Sequence, residues 1–217
     1  GRTLAAQVRN RVVGGDRSHT RARLGGGARH MRCEHYVRKI GQTVGEHDPP
    51  ADRGHGHGIY TQNQTGVKTI KDNIIFANYS HGIQAYGSGI AYLNNFWVEG
   101  NTLSNNGDLS VSGAGRNLLI GGGRVAQNPT VTSNYLYRYY DGDQPSSDLD
   151  LGYDAGCSNP KVTNNYVADW AQFVNCTSGL AMTGNTFYGE VAGFSPSSFP
   201  NNIYLSQRPT GTVTFVR

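Results

Sequence analysis

The sequence predicts an all-β chain wound as a solenoid of about five to six coils. Three observations predict it: an asparagine recurring five times in one local register, strand-favouring residues on both sides of it, and a glycine excess suited to turns. Glycine supplies 30 of the 217 residues, without a Gly-x-y period and with only 8 prolines, which excludes collagen and Pro/Gly disorder. The length is enough for one sizeable core.

The register is read from Asn73, Asn101, Asn134, Asn165 and Asn185. Three residues before each stands an apolar residue, in order Ile70, Val98, Val131, Val162 and Met182. Two residues after each stands another, in order Ile75, Leu103, Leu136, Val167 and Phe187. The surrounding Val, Ile, Thr and Tyr favour strands, and no segment carries the long 3.6-residue period of a helical repeat. A short unit with one apolar edge cannot bury that edge alone. Stacked coils turn the two sets into two interior columns, with asparagine at the corner between them, its amide bonding to the turn backbone and to the asparagine of the next coil, about 4.8 Å above. A further strand shows in the triplet His57-Gly58-Ile59, repeated as His81-Gly82-Ile83, and Asn117 to Gly121, Asp148 to Gly152 and Ala171 to Val174 continue it.

Charge divides the chain. Residues 1–53 hold 11 of the 19 Lys and Arg but 5 of the 15 acids, a balance of +6, leaving −2 for residues 54–217. The first segment has no periodicity and Tyr36 as its only aromatic, so it reads as a disordered basic arm or as an out-of-frame translation. A nucleic-acid-binding tail is the weaker alternative. No nucleic-acid partner is expected for the folded part. The longest apolar runs, such as Ile74 to Phe76, fall far short of the roughly 18 residues of a membrane-spanning helix, so no membrane partner is expected either. Three cysteines form no CxxC pair. Cys157 and Cys176 lie about one coil apart and read as neighbouring reduced thiols.

The asparagine-cornered coils, together with the Gly56-His57-Gly58-Ile59-Tyr60 opening, resemble the right-handed parallel β-helix repeat family of the broad pectin-lyase-like class, over about residues 54–205. The resemblance implies a right-handed parallel β-helix, a polysaccharide or glycan partner, and a secreted or cell-surface location, although no signal peptide is visible. The class spans lyases, glycosidases, epimerases and tailspikes, so the fold leaves the chemistry open. In longer relatives a segment like Thr214 to Arg217 is followed by more chain, which implies a fragment with its natural ends missing.

Candidate site residues follow from strand alternation. On the His-Gly-Ile strands Ile59, Thr61, Ile83 and Ala85 face inward, and Tyr60, Gln62, Gln84 and Tyr86 face outward. Stacking would set Tyr60 beside Gln84 and Gln62 beside Tyr86. Aromatic faces beside amides suit a sugar, whose rings present C–H faces and hydroxyls, so these four are the expected substrate-binding residues. An ordinary solvated sheet surface is the alternative. His57 and His81 are catalytic candidates, through the resemblance of Gly54-His55-Gly56 and Gly56-His57-Gly58 to the Gly-His-Gly of polygalacturonase-like enzymes. The upstream aspartate elements of those enzymes are absent, and both histidines also read as stacked turn residues.

Five acids fall between Asp141 and Asp154. Carboxylates this dense repel one another unless solvated or sharing a cation, and hard oxygen donors suit Ca²⁺. Asp148, Asp150 and Asp154 are the expected ligands, and Asp150 the expected catalytic carboxylate, with Lys161 or Arg138 as the nearest bases. A solvated acidic insertion is the alternative. Together these point to a carbohydrate-binding or carbohydrate-processing protein, acting on acidic polysaccharide as a lyase or glycosidase. The competing readings are a non-catalytic structural or glycan-binding module, and an incomplete fragment without activity.

Overall fold

The computed structural model describes residues 56–107, 115–138 and 147–206, all within the compact unit Arg32–Arg217. The basic segment 1–53, the acids Asp141 and Asp143, and Thr214 to Arg217 lie outside the described residues.

Short strands follow one another round each coil. The first coil holds β1 (Ile59–Thr61), β2 (Lys68–Lys71) and β3 (Ile74–Phe76), and the second holds β4 (Ile83–Gly87), β5 (Phe96–Glu99) and β6 (Thr102–Ser104). The third adds a short corner strand: β7 (Leu118–Gly122), β8 (Ala126–Gln127), β9 (Thr130–Thr132) and β10 (Tyr135–Tyr137). The fourth repeats that plan with β11 (Leu149–Asp154), β12 (Cys157–Ser158), β13 (Lys161–Thr163) and β14 (Tyr166–Val167). The fifth holds β15 (Ala171–Phe173), β16 (Ala181–Thr183) and β17 (Thr186–Tyr188). In the sixth, β18 (Val191–Ala192) and β19 (Ile203–Leu205) flank a 3-10 turn at Pro196–Ser198.

Equivalent strands stack in parallel. The first sheet runs β1-β4-β7-β11-β15-β18, the second β2-β5-β9-β13-β16 and the third β3-β6-β10-β14-β17-β19. Ile70, Val98, Val131, Val162 and Met182 form one buried column. Ile75, Leu103, Leu136, Val167 and Phe187 form another. Both are the columns expected from the register. The first sheet supplies the opposite wall with Ile83, Leu118 and Leu149, and with Ala85, Ile120, Leu151 and Phe173.

The asparagine corner is a continuous ladder. Each side-chain Nδ2 donates to the Oδ1 of the next coil at 2.8–3.0 Å, from Asn73 through Asn101, Asn134, Asn165 and Asn185 to Asn202. Asn202 is a sixth rung beyond the five seen in the register. The residue before each of the first five rungs turns the chain through positive φ: Asp72, Gly100, Ser133, Asn164 and Gly184. Glycine is needed at Gly100, where a Cβ would collide with the Asp72 carboxylate.

Cys157 and Cys176 form a disulfide with Cα atoms 4.6 Å apart, which corrects the expectation of reduced thiols. The cause is register. Cys157 opens β12, Cys176 follows β15 one coil later, and the Cys157 N–H donates to the Asn175 carbonyl. Stacking thus holds the two side chains against each other at the same corner.

Candidate functional site: the outer face of the first sheet and its corner cleft

On the first sheet, Tyr60 pairs with Gln84, Gln84 with Leu119, Leu119 with Asp150, and Asp150 with Gln172. Tyr60 beside Gln84 is the expected juxtaposition. The second expected pair does not form: β1 ends at Thr61, so Gln62 lies beyond the ladder, and Tyr86 is beside Gly121 instead. Tyr60 is exposed, whereas Leu119 and Asp150 are buried although they point away from the core cluster. The Gln84 amide oxygen is buried with no hydrogen-bond partner.

Two residues before the first inward position of successive coils stand His57, His81 and Arg116. Their backbones and rings interlock. The His81 N–H donates to His57 Nδ1 at 3.3 Å, and the Arg116 N–H donates to His81 Nδ1 at 2.8 Å. The two imidazoles stack at 5.1 Å with an interplanar angle of 5°, and Tyr60 stacks on His57. The His81 Nδ1 that accepts leaves the proton on Nε2, so His81 is held as a neutral tautomer. Burial, reinforced by the charges of His57, Arg116 and Arg138, lowers the His81 pKa to about 3. His81 is therefore neutral near pH 7 and carries no proton to donate from a cationic ring. Its Nδ1 occupies the position of a backbone acceptor, in agreement with the stacked-turn reading.

The acidic residues are separated by their environments. Asp150 pairs with Arg116 at 3.0 Å, and the Arg116 guanidinium lies over the Tyr153 ring. Burial raises the Asp150 carboxyl above its ordinary value, while Arg116 opposes that rise. Asp148 instead sits at an interior corner, where its Oδ1 accepts from Asn117 Nδ2 at 2.7 Å and lies 3.8 Å from Arg138 Nε. Asp154 is exposed at the end of β11, with φ of 68°. Among the described residues no group of three His, Cys, Asp or Glu is placed to hold a metal. The expected Ca²⁺ site at Asp148, Asp150 and Asp154 is thus not assembled: Asp148 precedes β11 at the interior corner and accepts from Asn117, Asp150 within β11 pairs with Arg116 away from the core, and Asp154 is exposed at the far end of the strand. Arg138 is buried against the carbonyls of Asn106 and Gly115, and Lys161 is on the second sheet.

Where the first-sheet strands end, the chain turns a corner and opens a cleft of about 480 Å³ lined by Tyr92, Asn94, Arg124, Val125 and Gln127, among others. The Arg124 guanidinium lies 3.6 Å from the Tyr92 ring centroid and donates to the Gly89 carbonyl at 2.7 Å. It forms no ion pair with a described acid. The Tyr86 ring lies against Gly122, the neighbour of Gly123 in the lining, so the sheet face leads to the cleft. Tyr92 and Arg124 went unnoticed in the sequence because a contact across 32 residues leaves no local signal. Arg116 could have been found, since it shares the offset of His57 and His81 from their inward residues.

The family described as a right handed beta helix region matches residues 51–208. The chain belongs to this family. No curated protein and no solved structure shows a match. Membership makes the parallel coils a right-handed β-helix, a fold often tied to carbohydrates, and leaves the site to be judged on its own chemistry.

Proposed function

We propose that this β-helix protein binds a polysaccharide along the outer face of its first sheet and in the adjoining corner cleft. The observation that carries the reading is the cleft lining. An aromatic ring, a fixed guanidinium and the amides of Asn94 and Gln127 converge there, with Tyr86 at its edge and Tyr60 and Gln84 further along the face. Sugars offer C–H faces to aromatic rings and hydroxyls to amides, and concave sites with a few fixed polar groups are the usual binding geometry. Arg124, held by the carbonyl of Gly89 and by the Tyr92 ring, would take the carboxylate of a uronate, which favours an acidic polysaccharide.

A lyase or glycosidase is the second reading. It is favoured by Asp150, a carboxyl whose pKa is raised beside Arg116, and it requires substrate to reach a carboxylate that is buried. Affinity electrophoresis of the full chain through gels containing polygalacturonate or a neutral galactan tests both readings, together with assays for unsaturated uronate and for reducing ends. Binding that Tyr86→Ala and Arg124→Gln each weaken about tenfold, a loss of about 1.4 kcal/mol, is the expected result. Unchanged retardation of both variants would remove this face as the site. Product formation abolished by Asp150→Asn would establish the catalytic version.

A further inference from the structure

The outer face of the third sheet carries no charge. Its six strands read Ile-Ile-Phe, Thr-Leu-Ser, Tyr-Leu-Tyr, Tyr-Val, Thr-Phe-Tyr and Ile-Tyr-Leu. By contrast, the second-sheet strands include Lys68, Lys71, Glu99 and Lys161. Large side chains of the third sheet stand in solvent: Ile74 is 66% exposed, Tyr135 61% and Ile203 55%, with Phe76, Tyr137 and Leu205 also exposed. The tyrosines are ordered on one another. Tyr135 stacks on Tyr166 at 5.7 Å, and Tyr166 meets Tyr188 at 5.0 Å. Burial and the neighbouring phenols raise the Tyr166 pKa to about 12, so this hydroxyl stays neutral. A flat, uncharged, tyrosine-rich apolar surface has the composition of an interface core rather than of a solvated face.

The order of residues names the partner. One column of this face is Ile74, Thr102, Tyr135, Tyr166, Thr186 and Ile203. It reads the same in both directions. We propose that this face is a homodimer interface, in which a second copy packs face to face across a two-fold axis parallel to the strands, its coils running in the opposite order. That axis preserves strand direction and reverses the stack, as an isologous contact requires. Ile74 then meets the second copy's Ile203, Thr102 its Thr186, and Tyr135 its Tyr166.

The neighbouring column is not palindromic but is complementary under the same rotation. It holds Phe76, Ser104 and Tyr137, then Ala168 and Tyr188, and ends at Leu205. Phe76 meets Leu205 and the small Ser104 meets Tyr188, which places bulk against space, while Tyr137 lies over the position of Ala168, already covered within its own chain. Six strands at about 4.8 Å give a face roughly 24 Å long, which suits an interface at the small end of the specific range.

Sedimentation velocity of the full chain carrying Cys33→Ser, which removes the third cysteine, the one outside the Cys157–Cys176 disulfide, followed across the micromolar range, tests the proposal. A monomer–dimer equilibrium is expected. Tyr135→Lys, at an exposed position that does not threaten the fold, should raise the dissociation constant at least about tenfold, while Thr69→Lys on the second sheet should not. Register is tested with Thr102→Cys and Thr186→Cys proteins prepared separately. The mixture should form an intermolecular disulfide faster than either protein alone. A monomer at every concentration, a dimer indifferent to Tyr135→Lys, or cross-linking of like with like would each overturn the proposal. So would a monomeric chain whose polysaccharide binding is lost with Tyr135→Lys, which would make the face a glycan platform.

Discussion

Two amide ladders run through the interior of this solenoid, one at each end of the third sheet's strands, and they finish differently. The first passes through six coils, from Asn73 to Asn202, without changing residue type. The second joins Asn78, Asn106 and Asn117 by the same bond, at 2.7 Å each, and stops at Asp148. An aspartate can accept from the rung below but has no amide proton to pass on, and buried Arg138 stands beside it. In the next coil the equivalent place belongs to Trp170, whose carbonyl accepts from the Asp148 N–H.

Chain path accounts for the difference. The first corner joins second-sheet and third-sheet strands across the same two-residue gap in each of the first five coils, so the same local solution repeats. At the second corner the length of chain between strands varies, as from Phe76 to Ile83, from Ser104 to Leu118 and from Tyr137 to Leu149. Charge enters at that corner, as Asp148 with Arg138, and just beyond it on the first sheet, as Arg116 with Asp150. Repetition marks the scaffold, and the departures from it lie beside the candidate site.

The contrast can be broken at the first ladder. Asn134 donates to the Val98 and Thr132 carbonyls as well as to Asn165. Asn134→Ala leaves several buried groups without partners and is expected to cost about 3–5 kcal/mol, measured by urea unfolding. At the second ladder, Asp148→Asn keeps an acceptor for Asn117 but removes the carboxylate beside buried Arg138. A loss of about 2–3 kcal/mol is expected in the same experiment, and no loss would mean that the charge there is immaterial.

The imidazole stack beside the second corner makes a third comparison, read in pH. The folded His81 value of about 3 lies below its ordinary 6.5, so the unfolded chain takes up the proton first as pH falls. The stability conferred by the neutral ring is complete above 6.5 and is lost on the way to 3. By about pH 5 the loss is about 2 kcal/mol. His81→Asn, which retains an acceptor for the Arg116 N–H, should flatten that part of the melting-temperature profile. A profile unchanged from that of the natural chain would assign the acid sensitivity elsewhere. The smallest effect is expected at an exposed third ladder, where Asn159 donates to Asn128 and Asn128 to Asn95. Solvent can replace those bonds, and Asn128→Gly, which suits the positive φ of 50° at that position, should cost under about 0.5 kcal/mol by thermal melting.

The scaffold was legible because its signal is local. An apolar residue three before an asparagine and another two after it describe one corner completely, and five copies identify the stack. The same reasoning placed Tyr60 beside Gln84, because β1 and β4 share a triplet that sets their register. It failed for Gln62 and Tyr86, since nothing in six residues announces that β1 stops at Thr61. The acidic run misled for a related reason. Five acids close in sequence suggest one site, but β11 begins only at Leu149, so Asp148 stays in the corner before the strand while Asp150 lies within it on the outer face.

By itself, then, the sequence determined a stack of short parallel strands with asparagine inside its corners, because each coil repeats a solution that a few neighbouring residues specify. Only the tertiary structure decided that Asn78, Asn106, Asn117 and Asp148 form a second ladder, that Cys157 bonds to Cys176, and that Arg124 lies over Tyr92. Each of those contacts joins different coils across loops of unequal length. Their partners are chosen by where the stacked coils bring side chains together in space, and no fixed spacing along the chain encodes that.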